Sequence, residues 1–140
     1  MTGLVVLIVV LLAATAFGLW RVRTAGRLTG PSPRTAQQSL TSADLGQDLG
    51  ERVTLVQFSS AFCAPCLATR QVLARVAATT DGVSHVEIDA ESHLDLVRRF
   101  GITRTPTTLV LDRRGQVVQR STGVPRLAQV GALVQQFATR

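Results

Sequence analysis

The chain has no lysine and no tyrosine, one tryptophan and only two cysteines among its 140 residues. Two cysteines are too few for a small secreted domain held together by several disulfides, which needs four or more at wide spacings. Aromatic residues make up 4% of the sequence, whereas a nucleic-acid-binding domain often combines a basic face with aromatic side chains. The length leaves room for one ordinary domain, so we expect one folded unit and no nucleic-acid partner.

Acidic residues are absent from the first forty positions, where all four charged side chains are arginines. The net charge of +6 is therefore unevenly placed, because the remaining hundred residues hold eleven arginines and nine acids, or +2. The basic surplus lies directly beside a long apolar run, an arrangement typical of a segment that flanks a membrane. The arginines of this segment are Arg21, Arg23, Arg27 and Arg34.

The apolar run extends from Gly3 to Trp20, eighteen residues without a charge, which is near the lower limit for crossing the hydrocarbon core as a helix. Trp20 ends the run, where an indole ring prefers the membrane interface. A cleaved signal peptide is the alternative, since residues 14–16 resemble a cleavage site. However, Met1 and Thr2 supply no basic side chain and the run is long for a signal peptide. We predict a single-pass membrane anchor over residues 1–22.

Residues 23–40 contain glycine, proline, serine and glutamine without apolar periodicity, so we predict a flexible linker there and a folded domain over residues 41–140. The arginines follow the anchor and no basic side chain precedes it. The positive-inside rule therefore favours a domain on the cytoplasmic side of the cell membrane.

Within the folded part, apolar periodicity predicts an α/β domain. Thr41 and Asp44 are spaced as a capping box, Ser92 is expected to cap a helix, and Leu127 is expected to face inward on the last helix. A mixed central sheet with helices on both faces follows from this order of elements. We predict helices over residues 41–49, 64–78, 92–100 and 126–138, and strands over 53–59, 84–89, 107–111 and 116–121.

The two cysteines, Cys63 and Cys66, enclose Ala64 and Pro65 at the junction between a predicted strand and a predicted helix. The unpaired N–H groups and the dipole at a helix start favour the thiolate, which is the reactive form of cysteine. Pro65 fits the first helical turn, and a spacing of three places both sulfurs on one face, close enough for a disulfide. We expect Cys63 to attack disulfides and Cys66 to resolve the intermediate.

A zinc site is the competing interpretation of a close cysteine pair, but it needs four ligands. The remaining candidates of suitable chemistry are His85 and His93, whose spacing matches no common zinc finger. We therefore predict no metal site.

The stretches QFSSAFCAPC, VEID and FGITRTPTTLVLDRRGQV resemble the thioredoxin family over roughly residues 50–138. The resemblance implies a thioredoxin fold, preceded here by one transmembrane helix. It also implies that the Thr105–Pro106 bond is cis and faces the cysteines, and that the Thr105 backbone binds an extended substrate as an added strand. Gly123 falls where the family has a glycine near the substrate groove.

Four positions depart from the family pattern. Gln57 stands in place of a buried aspartate, so the proton relay to the resolving cysteine is missing or replaced. We expect Gln57 to be a buried amide with satisfied hydrogen bonds. Phe62 replaces a common tryptophan and Ala64 a glycine, while His85 replaces a lysine and is expected at the surface end of its strand.

These patterns predict a membrane-anchored thiol–disulfide oxidoreductase that exchanges a dithiol for a disulfide on protein substrates. No cofactor is required, but electrons must pass to or from a redox partner, and a membrane protein is plausible because the anchor confines the domain there. Two alternatives remain open. One is a non-catalytic module that binds a membrane complex and keeps a structural cysteine pair, and the other is a chaperone for a soft metal ion such as Cu(I).

Overall fold

The computed structural model describes residues 2–24, 26–30 and 38–138. Each element predicted for the folded part is present, with small shifts at its ends, and one short strand is additional. The helices are α1 (Thr2–Thr24), α2 (Ser42–Leu45), α3 (Ala64–Thr79), α4 (Leu94–Arg99) and α5 (Leu127–Ala138). The strands are β1 (Leu28–Thr29), β2 (Val53–Ser59), β3 (Val83–Asp89), β4 (Thr107–Asp112) and β5 (Val117–Thr122).

The five strands form one mixed sheet in the order β1-β5-β4-β2-β3. Strands β2 and β3 are parallel because α3 connects them by a crossover, while the other neighbouring pairs are antiparallel. Gly115 closes the β4–β5 hairpin with a φ of 78°, a conformation that glycine adopts without steric cost. The predicted mixed sheet with helices on both faces is confirmed.

Side chains of β2 alternate between two apolar layers, as the period of a strand requires. Val56 and Phe58 belong to a layer that also contains residues of α4, whereas Val53 and Leu55 belong to a layer that contains residues of α3 and α5. All seven residues of β2 are buried, which agrees with its central place in the sheet.

Helix α1 has no buried residue along its 23 positions. Its mean hydropathy reaches 2.6 in one window, so its length and composition suffice for crossing a membrane. A signal sequence near an N-terminus meets the same criterion. The apolar helix predicted near the N-terminus is therefore present, and it continues to Thr24.

The flexible linker predicted over residues 23–40 is wrong for several of its described residues. Leu28 and Thr29 pair with β5, and the backbone N–H of Leu40 donates to the carbonyl of Gly115 at 2.9 Å. Leu40 is 1% exposed, so the folded domain begins before residue 41. The composition of residues 23–40 did not predict β1, because β1 is stabilised by hydrogen bonds to the open edge of β5. That edge is formed by residues far away in the sequence. Residue 25 and residues 31–37 of the predicted linker lie outside the described residues.

Three details at helix ends also differ from the predictions. His93, not Ser92, occupies the position before α4, and the Ser92 hydroxyl donates to the Asp89 carboxylate instead. Leu127 is 42% exposed because it lies in the first turn of α5, beyond the edge of the apolar layer. The Thr41–Asp44 capping box is confirmed, but α2 ends after a single turn.

Candidate functional site

The cysteine pair lies where the chain leaves β2 and enters α3. Cys63 occupies the N-cap position of α3, and Pro65 lies in the first turn, as predicted. The backbone N–H of Cys66 donates to the Cys63 carbonyl at 3.0 Å, which closes the turn between them. The two residues form a disulfide with their Cα atoms 5.2 Å apart.

The two cysteines differ in exposure. Cys66 is buried, with 3% of its surface exposed, whereas Cys63 is half-buried at the entrance of the helix. Cys63 is therefore the more accessible of the two cysteines, while Cys66 lies inside the fold. This asymmetry fits the roles that the sequence predicts for the two cysteines.

Phe62, directly before the pair, projects fully into solvent. Its φ is 56°, a value rare for a non-glycine residue and costly for a bulky side chain. Strained backbone of this kind clusters at functional sites, where the surrounding structure maintains it. The aromatic ring is therefore displayed beside Cys63 and does not contribute to the core.

A loop before β4 joins the site, as the resemblance implies. The Thr105–Pro106 bond is cis, and the Thr105 and Ser60 hydroxyls are hydrogen-bonded at 2.7 Å. The Gly123 N–H donates to the Pro106 carbonyl at 2.8 Å, and Gly123 has a φ of 91° that favours glycine. These hydrogen bonds thus link the loops at the end of β2, the start of β4 and the end of β5, and Ser60 lies three residues before Cys63.

Gln57 lies under the cysteine pair and is completely buried. Its Nε2 donates to the Cys66 carbonyl at 2.9 Å and to the Ser59 hydroxyl at 2.8 Å. Its Oε1 is buried without a hydrogen-bond partner among the described residues. The prediction that the Gln57 amide is buried with satisfied hydrogen bonds is thus only partly correct. Among the described residues, its donor nitrogen has two partners and its acceptor oxygen has none.

The hydrogen bonds continue from Gln57 to an acidic residue that the sequence analysis did not single out. The Ser59 hydroxyl donates to Glu87 Oε1 at 2.7 Å, and Arg70 Nε lies 2.7 Å from Glu87 Oε2. A chain of contacts therefore runs from Glu87 through Ser59 and Gln57 to the backbone of Cys66. Two polar residues at the end of a largely apolar strand, Gln57 and Ser59, are the signal in the sequence.

Two titratable residues of β3 lie on this side of the sheet. Burial raises the pKa of Glu87, but hydrogen bonds from Arg70 and Ser59 and the charges of Arg70 and His85 leave it below its ordinary value. Burial lowers the pKa of His85, and the nearby Arg70 charge lowers it further, although Glu87 acts in the opposite direction. The expected surface position for His85 is wrong, because it lies half-buried inside β3.

A cleft of about 830 Å³ opens beside the disulfide. One wall is the active-site loop with Phe62 and Cys63, and the other carries the acidic residues Glu87, Asp89 and Glu91. Over the described part of the chain, no three His, Cys, Asp or Glu side chains form a group that could hold a metal ion.

Comparisons with known proteins agree with this geometry. The model of the family described as thioredoxin matches residues 37–136. A thioredoxin of Alicyclobacillus acidocaldarius is 31% identical over 99 residues, covering 69% of this chain and 93% of that protein. Thioredoxin-2 of Schizosaccharomyces pombe mitochondria is 29% identical over 73 residues, 52% of this chain, and thioredoxin H2 of Arabidopsis thaliana is 28% identical over 75 residues, 54% of this chain. The chain spans about half the length of these last two relatives, 54% and 56%.

Solved structures show the same likeness. Chloroplastic thioredoxin z has a TM-score of 0.57 at 28% identity, with 64% of this chain and 81% of that chain covered. A thioredoxin of Halobacterium salinarum has a TM-score of 0.57 over 62% of this chain and 75% of its own, and at 22% identity it supports the fold alone. Fold and disulfide together define a protein with a thioredoxin fold that carries a disulfide-forming cysteine pair at a helix start. The chain belongs to the thioredoxin family, whose model covers more than half of it.

Proposed function

We propose that this protein is a membrane-anchored thiol–disulfide oxidoreductase that acts on protein substrates. The observation that carries the proposal is the asymmetric Cys63–Cys66 disulfide at the start of α3, which lines a cleft together with Phe62. A structural disulfide gains nothing from a half-buried cysteine beside a fully exposed aromatic ring. A reactive pair needs one accessible sulfur and one protected sulfur.

The reaction transfers two electrons and needs no cofactor. In the reducing direction, the Cys63 thiolate attacks a substrate disulfide, forms a mixed disulfide and releases one substrate thiolate. The Cys66 thiolate then attacks Cys63, releases the second substrate thiolate and leaves the Cys63–Cys66 disulfide. The oxidising direction is the reverse sequence, and a redox partner restores the starting state.

The surrounding residues support these steps in different ways. Phe62, Ala64, Pro65 and Gly123 shape the surface on which a substrate segment lies, and the Thr105 backbone precedes β4, where a substrate strand can pair. Gln57 holds the first turn of α3 through the Cys66 carbonyl. We infer that Gln57 positions the resolving cysteine, because an amide cannot itself accept the proton that the family aspartate accepts.

We further propose that α1 is retained as a single-pass anchor in the cell membrane, with the domain on the cytoplasmic side. Support comes from the uncharged length of α1, from Trp20 near its end and from Arg21 and Arg23 in its last turn. Alkaline extraction of membranes tests the anchor, since a cleaved chain leaves the membrane fraction. A membrane-impermeant thiol reagent tests the side, because it labels reduced Cys63 in intact cells only if the domain faces outward.

The midpoint potential of the full chain in detergent micelles tests the redox proposal. Thiol labelling in glutathione and dithiothreitol buffers gives the potential, and labelling is needed because Trp20 is the only tryptophan. A value near about −270 mV indicates a reductant, whereas about −120 to −180 mV indicates an oxidant or isomerase. If no reversible disulfide forms at any potential, or if Cys63→Ser leaves the biological activity intact, the redox proposal is wrong.

A further inference from the structure

We propose that β1 holds the active-site end of the domain against the membrane, so that the substrate is a disulfide or dithiol of an integral membrane protein at the level of the lipid headgroups. This inference rests on the anchored oxidoreductase proposed above and specifies its substrate. Its starting observation is the pairing of β1 with β5, which fixes the point where the anchor enters the domain.

The register of the sheet locates this point. The Gly26 N–H donates to the Thr122 carbonyl at 2.7 Å, Thr122 pairs with Thr107, and Thr107 pairs with Phe58. These four residues form one transverse row across the sheet, at the end where β2 leads into the active-site loop. Three strand spacings separate β1 from β2, so the entry point lies about 14 Å to the side of the active-site strand.

The distance from the membrane surface to Gly26, where the anchor enters the domain, is also short. Helix α1 ends at Thr24, two residues before the hydrogen bond of Gly26, and two residues span at most about 7 Å. From Trp20 to Thr24 the helix rises about 6 Å, which is comparable with the thickness of one headgroup layer. The row that contains Gly26 therefore lies close to the lipid surface.

The junction itself is tightly packed. Gly26 is buried with a φ of 76°, and a Cβ at this position would lie 2.0 Å from the Val124 carbonyl oxygen. The segment therefore cannot swing away from β5 without breaking close backbone contacts. This contact touches the residue that follows Gly123 and thus ties the anchor to the site.

The apolar surface of the domain points the same way. In the described part of the domain, the large apolar side chains that are exposed all lie in loops or first helical turns at the active-site end. At the opposite end, where the β4–β5 hairpin turns, none of the described residues exposes such a side chain. They are Phe62, Leu67, Leu94, Val124 and Leu127.

These observations favour a substrate that shares the membrane. A large soluble protein would have to enter between the bilayer and the active-site end, whereas a loop of a neighbouring membrane protein already lies there. The exposed apolar side chains provide a surface for that loop, since clustered apolar exposure marks interaction sites.

Spin-label relaxation tests the orientation without reference to redox activity. The full chain is reconstituted in phosphatidylcholine–phosphatidylglycerol vesicles that contain a Ni²⁺-chelating lipid. A nitroxide is attached either to Cys63 in Cys66→Ser or to Arg113→Cys in Cys63→Ser/Cys66→Ser, at the opposite end of the domain. We expect relaxation enhancement at least about twofold larger at Cys63, because the two ends are about 20 Å apart along the strands.

A matched pair of glycine variants tests the role of β1. Gly26→Val should detach β1 from β5 and bring the ratio of the relaxation enhancements at the two labels close to one. Gly30→Val, where a Cβ meets nothing within 4 Å, should leave the ratio unchanged. Equal enhancement at both labels in the unaltered chain, or a larger value at the hairpin, overturns the orientation. No enhancement at either label overturns the anchor as well.

Substrate preference is tested with synthetic transmembrane peptides carrying a thionitrobenzoate-activated cysteine. The Cys63 thiolate attacks the peptide sulfur and expels thionitrobenzoate, after which Cys66 releases the peptide thiol and the Cys63–Cys66 disulfide remains. Exchange should be about tenfold faster when the cysteine lies about three residues beyond the membrane span than when it lies about fifteen residues beyond it. Equal rates overturn the proposed substrate and keep the oxidoreductase, whereas no release from either peptide overturns the oxidoreductase itself.

Discussion

The two faces of the central sheet are built from the same strands but serve different purposes. On the face that packs against α4, β2 contributes Thr54, Val56 and Phe58, all completely buried, and the two nearest the cysteines are apolar. On the face that packs against α3, the inward positions begin as Val53 and Leu55 and continue as the polar Gln57. Near the cysteines, the second face therefore has hydrogen bonds where the first face has apolar packing. We call the face that packs against α4 the apolar face and the face that packs against α3 the chemical face.

The largest expected effect is the loss of turnover when the cysteines beside the chemical face are replaced. Cys63→Ser should abolish turnover, because the one thiol that remains, Cys66, is buried and out of reach of a substrate disulfide. Cys66→Ser is the matched control, since it also lacks the disulfide but should still form a mixed disulfide through Cys63. Gel-shift detection of the mixed disulfide separates the two, and trapping by Cys63→Ser at the same rate would contradict the assigned roles.

On the apolar face, Phe58→Ala should lower the free energy of unfolding by about 3–5 kcal/mol, because it removes a fully buried aromatic side chain and leaves a cavity. Urea unfolding followed by circular dichroism measures the loss. The midpoint potential of the protein that remains folded should be unchanged. A large shift in potential would mean that this face also tunes the chemistry.

On the chemical face, Gln57→Leu should lower the free energy of unfolding by about 1–3 kcal/mol, because the Cys66 carbonyl and the Ser59 hydroxyl both lose a buried hydrogen-bond donor. It should also slow resolution of the mixed disulfide, measured by rapid mixing and thiol trapping. Thr108→Val is the control on the same face, since Thr108 pairs with Gln57 in the sheet and its hydroxyl has no partner among the described residues. That variant should be neutral or stabilising, and an equal loss in both variants would argue against a positioning role for Gln57.

The smallest expected effect is the pH dependence that His85 adds to the chemical face. Its pKa is lower in the folded protein than the ordinary 6.5, so unfolding takes up a proton in the window just below pH 6.5. His85 therefore favours the folded state fully above pH 6.5, and this contribution decreases as the pH falls through the folded pKa. His85→Gln should flatten the fall in unfolding free energy between neutral pH and pH 5, while an unchanged slope would assign the dependence to other groups.

Much of the fold followed from local patterns. The apolar run of β2, the periodicity of α3 and α5 and the Asp112–Gly115 turn predicted the elements, and their order predicted the mixed sheet. The junction of β2 and α3 was sufficient to place the cysteine pair at a helix start. The cis bond before Pro106, in contrast, was expected only from the family resemblance, since most bonds before proline are trans.

What the sequence determined by itself is therefore the set of elements, the close cysteine pair and the apolar helix near the N-terminus, because each depends on residues close together along the chain. Only the tertiary structure decided that β1 pairs with β5 and that Glu87 reaches Ser59 across 28 positions. It also decided that a histidine assigned to the surface is half-buried. Such contacts depend on strand register and on which backbone edge remains open, and neither property can be read from the short segments that form them.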